Sequence, residues 1–174
     1  MNDDRTPSAA AMRAAVAAGG LLRPGRPVVV LLSGGRDSTC LLHVATAVAG
    51  PQETLALHVN YGLRDSAAAD EALCRVSCDE LGVQLAVHTP AARSRGNLQA
   101  WARDERYAAA MRLAEQHGAI VATGHTASDQ VETVLHRLAS SPGRRALLGM
   151  DESSSRLVRP LLGFTREATG AYCR

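Results

Sequence analysis

The sequence predicts a doubly wound α/β domain, a parallel sheet with helices packed on both faces. Three observations predict it. Four short aliphatic, largely β-branched runs recur at helix-sized intervals within 174 residues. Helical patterns fill each interval between them. The first run, Val28-Val29-Val30-Leu31-Leu32, is continuously apolar, as a strand covered on both faces must be.

Taken in order, Ser8 to Gly20 is an alanine-rich stretch that reads as a short helix stopped by Gly19-Gly20. Pro24 and Pro27 then lead into the first strand. Residues 1–26 therefore read as a lead-in, and 27–174 as one domain. A helix is expected at 38–49, a strand at 54–60, a helix at 66–81 and a strand at 83–89. A helix at 97–117 and a strand at 119–123 follow. In the next helix, 127–138, the spacing of Val131, Val134, Leu135 and Leu138 predicts a buried stripe. Residues 139–156 read as loop from their Ser, Gly and Pro content. Leu157-Val158-Arg159 forms a short stretch before Pro160, and 165–172 reads as a broken terminal helix.

Composition narrows the function classes. The domain is large enough to bury its own core, but only five side chains are aromatic, so Ala, Leu and Val must fill it. All 19 basic residues are Arg, and their distribution is uneven. Residues 1–90 carry seven Arg against nine acids, whereas 91–174 carry twelve against eight. Guanidinium groups grip phosphate in a two-pronged way, so this half suits phosphate or RNA; solvated helix faces would use the same residues. The N-terminus lacks a basic, apolar targeting segment, and no aliphatic run approaches bilayer length. Cys40, Cys74, Cys78 and Cys173 form no CxxC pair, so reduced, mostly packed thiols in a cytoplasmic protein are expected.

The densest chemical signal follows the first strand. Ser33-Gly34-Gly35-Arg36-Asp37-Ser38 runs directly into an apolar helix. Two glycines let the backbone turn sharply and bring its N–H groups close to an anion. The helix start aims unpaired N–H groups and its positive dipole end at the same place. Ser33 and Ser38 add hydroxyls. A carboxylate at Asp37 beside phosphate makes sense if it holds a cation, which implies Mg²⁺. Alternatively, the hexapeptide is only a capped strand–helix turn. It lacks the Gly-Lys-Ser/Thr ending of a Walker loop and the G-x-G-x-x-G spacing of dinucleotide folds.

Two other strand ends face the same side of the predicted sheet. Asn60 and Arg64 close the second strand. After the fourth come Gly124-His125-Thr126-Ala127-Ser128-Asp129-Gln130, where Asp129 could share Mg²⁺ with Asp37. Thr126-x-x-Asp129 also fits a helix capping box, and His125 a structural histidine. Arg103 and Arg106, three apart, share one side of a helix, where one could steady charge on a transferring phosphate.

The hexapeptide resembles the pyrophosphate loop of the N-type ATP pyrophosphatases. With His58-Val59-Asn60, Gly62-Leu63-Arg64, Asn97 to Tyr107, Gly124 to Thr133, Leu147 to Met150, Arg159-Pro160-Leu161-Leu162 and Thr165-Arg166-Glu167, the chain resembles tRNA(Ile)-lysidine synthetase. The resemblance implies that ATP adenylates the wobble cytidine of tRNA(Ile) and that free lysine then displaces AMP. It implies that Ser33, Gly34, Gly35, Arg36, Asp37, Ser38 and Asn60 hold ATP and that Asp37 and Asp129 handle Mg²⁺. His125 and Arg103 would line the reaction centre.

Three positions depart from the family pattern. Ser128 stands where an acid is usual, Tyr61 where His is usual, and Ser140-Ser141-Pro142-Gly143 lacks the usual Arg. The family's tRNA-gripping C-terminal part is expected to lie outside these residues, and a homodimer is allowed. A non-catalytic nucleotide-binding protein of the same fold, or another tRNA-modifying pyrophosphatase, are the competing readings.

Overall fold

The computed structural model describes residues 7–63, 65–91, 97–140 and 147–174. Arg64, Gly96 and the 141–145 part of the Ser/Pro/Gly stretch lie outside the described residues.

Helix α1 (Ala9–Gly19) starts on Ser8, whose side chain accepts the Ala11 N–H, and ends on left-handed Gly20. Strand β1 (Val28–Leu31) leads to α2 (Arg36–Ala49), and a single 3₁₀ turn at Pro51–Glu53 leads to β2 (Thr54–Val59). Then come α3 (Ala67–Leu81), β3 (Gln84–His88), α4 (Leu98–Gln116) and β4 (Ile120–Ala122). Helix α5 (Ala127–Ser140), two-residue strands β5 (Ser153–Ser154) and β6 (Leu157–Val158), and α6 (Arg166–Tyr172) complete the order. No helix among the described residues is long and apolar enough to cross a membrane.

The strands form one sheet in the order β3-β2-β1-β4-β6-β5, parallel except for the β5–β6 pair. Alternate β1 residues point to opposite faces. Val28, Val30 and Leu32 pack with Met12, Leu41, Cys78 and Ala168, so α1, α2, α3 and α6 cover that face. Val29 and Leu31 pack with Ala109, Ala110 and Ala114 of α4 on the other. Small alanines let α4 approach the sheet closely, which answers the shortage of aromatics.

Two expectations are corrected. The 139–156 region is not all loop. Helix α5 runs on to Ser140, and Ser153-Ser154 turn back on Leu157-Val158 through Ser155 (φ +54°), which extends the sheet from the expected four strands to six. The predicted stripe of α5 is not buried: Val131 is 58 % and Leu135 61 % exposed. Periodicity shows that a helix has an apolar face, but what covers that face is decided elsewhere in the fold.

Beyond β1 the chain turns to β2 on one side, and beyond β4 the sheet continues on the other. The carboxyl ends of β1 and β4 therefore flank the switch point where open α/β sheets bind ligands.

Candidate active site

A cleft of about 640 Å³ opens at that switch point. Its size lies within the range of small-molecule sites. Ser33, Asp37, Asn60, Arg106, His125 and Asp129 all line it.

The phosphate loop is shorter than the sequence suggests, because α2 begins at Arg36 with Gly35 as its N-cap. Gly35 provides no side-chain cap, so the N–H groups of the first turn are left for an anion. Gly34 has φ +79°, which glycine adopts without strain. The Ser38 hydroxyl accepts the Ser33 N–H (3.1 Å) and donates to Gly35 O (2.8 Å), so it latches the loop from within. Ser33 Oγ lies 3.0 Å from Ser38 Oγ and accepts the Gly35 N–H at 3.4 Å. Arg36 stays half exposed, its guanidinium against Gly170 of α6, where a Cβ would come within 3.1 Å.

Asp37 and Asp129 converge on one cation of the chain itself. The Arg166 guanidinium is 3.7 Å from Asp37 Oδ2, donates to Asp129 Oδ1 at 2.8 Å, and reaches Glu132 Oε1 at 3.2 Å. Thr169 donates its hydroxyl to Asp37 Oδ1. Helix α6 thus sits on the acidic pair. Sequence reading gave Arg166 and Thr169 no role in the site because they lie 37 and 132 residues from their partners, beyond any local pattern. The only local hint is the Thr165 cap that starts α6. Ser128, where an acid is usual in the resembled family, accepts the Arg166 N–H at 3.2 Å and ties the starts of α5 and α6 together.

Asp129 braces the start of α5 and also lines the cleft. Its Oδ2 accepts the Thr126 N–H and the Thr126 hydroxyl, each at 2.7 Å, which is the carboxylate half of a capping box, while Oδ1 faces Arg166. Burial alone would raise its pKa, but the Thr126 and Arg166 hydrogen bonds outweigh burial and hold it below the ordinary carboxylate value of 3.8. A depressed carboxyl stabilises the fold above the unfolded pKa, and that stabilisation disappears as pH falls through the folded value. Asp129→Asn is therefore expected to lower the melting temperature at pH 7 while flattening its decline below about pH 4. An acid melting series that runs parallel to the wild type would show that Asp129 contributes nothing ionic.

His125 lies just past β4, its Nδ1 2.8 Å from Thr123 Oγ1. Burial lowers its pKa first, and the charges of Arg159, Arg106 and Arg103 add to that against an opposing pull from Asp129. It is neutral at pH 7 and can accept a proton or hydrogen bond in the cleft. Because the folded protein disfavours the charged ring, His125 contributes stability that is complete above pH 6.5 and lost on acidification. A His125→Asn variant should show a shallower loss of melting temperature between pH 6.5 and 5 than wild type; equal slopes would count against it.

The arginines of α4 divide. Arg106 lines the cleft, whereas Arg103, placed at the reaction centre by resemblance, is exposed, lies over the Tyr107 ring (5.0 Å) and lines no part of it. The charge of Arg103 still adds, behind those of Arg159 and Arg106, to lowering the His125 pKa. A spacing of three puts both on one side of a helix, but the packing of Ala109, Ala110 and Ala114 on the sheet decides which points inward. Asn60 lines the cleft with its amide engaged: Nδ2 donates to Glu71 (2.8 Å), and Oδ1 accepts the Gly62 N–H (3.0 Å). Tyr61 donates to Ala102 O at 2.6 Å and meets Trp101 edge-on, so it fastens the start of α4 to the end of β2. Cys40, Cys74 and Cys78 are buried free thiols, Cys173 is exposed, and none of the four lines the cleft.

Residues 7–174 match the PP-loop domain family. The chain belongs to the PP-loop family. Three curated relatives of this PP-loop chain are tRNA(Ile)-lysidine synthases. That of Symbiobacterium thermophilum is 41 % identical over 89 % of the chain, that of Pseudomonas fluorescens 40 % over 83 %, and that of Thermus thermophilus 39 % over 88 %. The PP-loop chain covers 35 %, 34 % and 31 % of those proteins, about a third of their length.

Among solved structures, the U34-tRNA thiolase of Methanococcus maripaludis with its [4Fe-4S] cluster superposes with TM-score 0.76 at 16 % identity, covering 93 % of this chain and 61 % of that one. The NH3-dependent NAD synthetase of Campylobacter jejuni superposes with TM-score 0.65 at 13 %, covering 95 % and 70 %. At such identities the likeness shows the PP-loop fold alone.

Proposed function

We infer that these residues form the adenylating domain of a tRNA(Ile)-lysidine synthetase. ATP and the wobble cytidine of tRNA(Ile) would meet in the cleft, and lysine would then replace AMP. One observation carries the reading: the uncapped start of α2 and the carboxylates Asp37 and Asp129 face the same cleft, with neutral His125 beside them. The names of the curated relatives support the choice of substrate.

Each group has a task that its chemistry suits. The N–H groups of the first turn of α2, left uncapped by Gly35, would bind the departing pyrophosphate, with the helix dipole favouring its charge. Two carboxylates at a phosphate site are the donor set Mg²⁺ prefers, and Arg166 now fills the position between them, so Asp37 and Asp129 fit the ion. When bound, Mg²⁺ would neutralise phosphate charge as the bond between α- and β-phosphates breaks. His125, kept neutral, would take the proton of the lysine amine as it attacks C2 of the base. Arg106 would steady charge on the transferring phosphate.

The test is pyrophosphate release from ATP by this chain with tRNA(Ile) and lysine. Release that needs the tRNA, with lysine incorporated into it, is expected. Mg·ATP binding without pyrophosphate release, even when the C-terminal part of a curated relative is supplied to hold the tRNA, would favour a nucleotide-binding protein of the same fold.

A further inference from the structure

We propose that His58 is the positioning residue that sets the entry angle of the phosphate loop, by holding the peptide plane between Leu32 and Ser33 from its carbonyl side. The consequence for ATP rests on the nucleotide reading above; the geometry does not.

A peptide unit is planar, and its C=O and N–H point in opposite directions. Fixing both ends of one unit fixes its rotation about the chain. The Leu32–Ser33 unit is the first after the β1–β2 ladder, where Leu32 N–H still bonds Leu57 O at 2.9 Å. Its carbonyl lies 2.9 Å from His58 Nδ1, and its N–H donates to Ser38 Oγ at 3.1 Å. One side chain from the neighbouring strand and one from the following helix therefore clamp the plane from opposite ends. The next amide of the loop, that of Gly34, is then set relative to this plane by the two dihedrals of Ser33 alone.

The surroundings make the clamp stiff. His58 is 5 % exposed, on a strand whose backbone is paired on both sides. A carbonyl only accepts, so Nδ1 carries the proton and the tautomer is set. Cys74 Sγ of α3 packs 3.4 Å from Nδ1 and 3.9 Å from Leu32 O. Burial pushes that thiol up to about 12, so it stays uncharged and does not draw the imidazole away. The same sulfur would lie 3.5 Å from a Cβ placed on Gly34, so His58 and Cys74 together floor the loop. Beyond its place in the resemblance motif His58-Val59-Asn60, no local pattern assigns His58 this task, because a histidine inside a strand reads as a packed residue.

Three variants separate position from mere packing. Asn places an N–H the same number of bonds from Cα as Nδ1, Gln places it one bond further, and Leu has none. In ligand-free protein, hydrogen exchange of the Ser33 amide should quicken about tenfold in His58→Leu and His58→Gln, the factor of one ordinary hydrogen bond, and return towards wild type in His58→Asn. Mg·ATP affinity by calorimetry should fall about tenfold in the same two and recover in Asn, with melting temperatures of Asn and Gln alike. Equal exchange and affinity in Asn and Gln would overturn the proposal, as would losses that track melting temperature alone. If wild type fails to bind Mg·ATP while the exchange pattern holds, the nucleotide reading falls and the clamp stands.

Discussion

Replacing Asp37 with alanine is expected to lower tRNA-dependent pyrophosphate release by at least about a hundredfold, the usual loss for a charge-stabilising group in a closed site. The chain should stay folded. Asp37 sits in the first turn of α2 with its side chain a quarter exposed, and its partners, Arg166 and Thr169, keep Asp129 and Arg166 O respectively. A carboxylate early in a helix also favours the dipole, but that contributes only about 0.3–1 kcal/mol. Catalysis and stability should therefore separate. The measurement is initial pyrophosphate release at saturating Mg·ATP beside a thermal melt. An Asp37→Ala protein that melts normally and turns over within threefold of wild type would remove Asp37 from the chemistry. A protein that turns over slowly only because it has unfolded would show it in the melt.

Gly124→Ala should be one of the most damaging single methyl groups among the described residues. A Cβ there would lie 2.9 Å from the carbonyl oxygen of Asp37, 3.0 Å from its carbonyl carbon and 3.1 Å from Ser38 N. All three are backbone atoms of α2's first turn, so no side chain can swing aside. Either the β4–α5 junction or the phosphate loop must move. Overpacking of this kind costs about 1–3 kcal/mol. For this site it should also weaken Mg·ATP binding tenfold or more, because the first turn of α2 presents the loop N–H groups. A Gly124→Ala protein with wild-type melting and ATP affinity would show that the contact between the two strand ends is slack. By contrast, a Cβ on Gly163 would meet nothing within 4 Å, and alanine there serves as the control.

Legibility followed the range of the interaction. The hexapeptide 33–38 could be read because strand, glycine turn and helix are contiguous, and each is a local preference. The capping of α5 by Asp129 could be read for the same reason, since its partner Thr126 is three residues away. The choice between Arg103 and Arg106 could not. Both satisfy the same helical spacing, and only the packing of Ala109, Ala110 and Ala114 on the sheet turns Arg106 inward. The exposed stripe of α5 shows the converse: its apolar period was legible, its surroundings were not.

Taken alone, the order of residues determined the alternation of strands and helices, the glycine turn after β1 and the acidic start of α5, because each arises from neighbours within a turn or two of chain. The tertiary structure alone decided that Arg166 and Thr169 meet Asp37, that His58 reaches Leu32 across a strand boundary, and that β5 and β6 widen the sheet. The side-chain pairings among these join segments 26 to 132 residues apart. Their energies depend on how layers stack, and no local propensity carries that information.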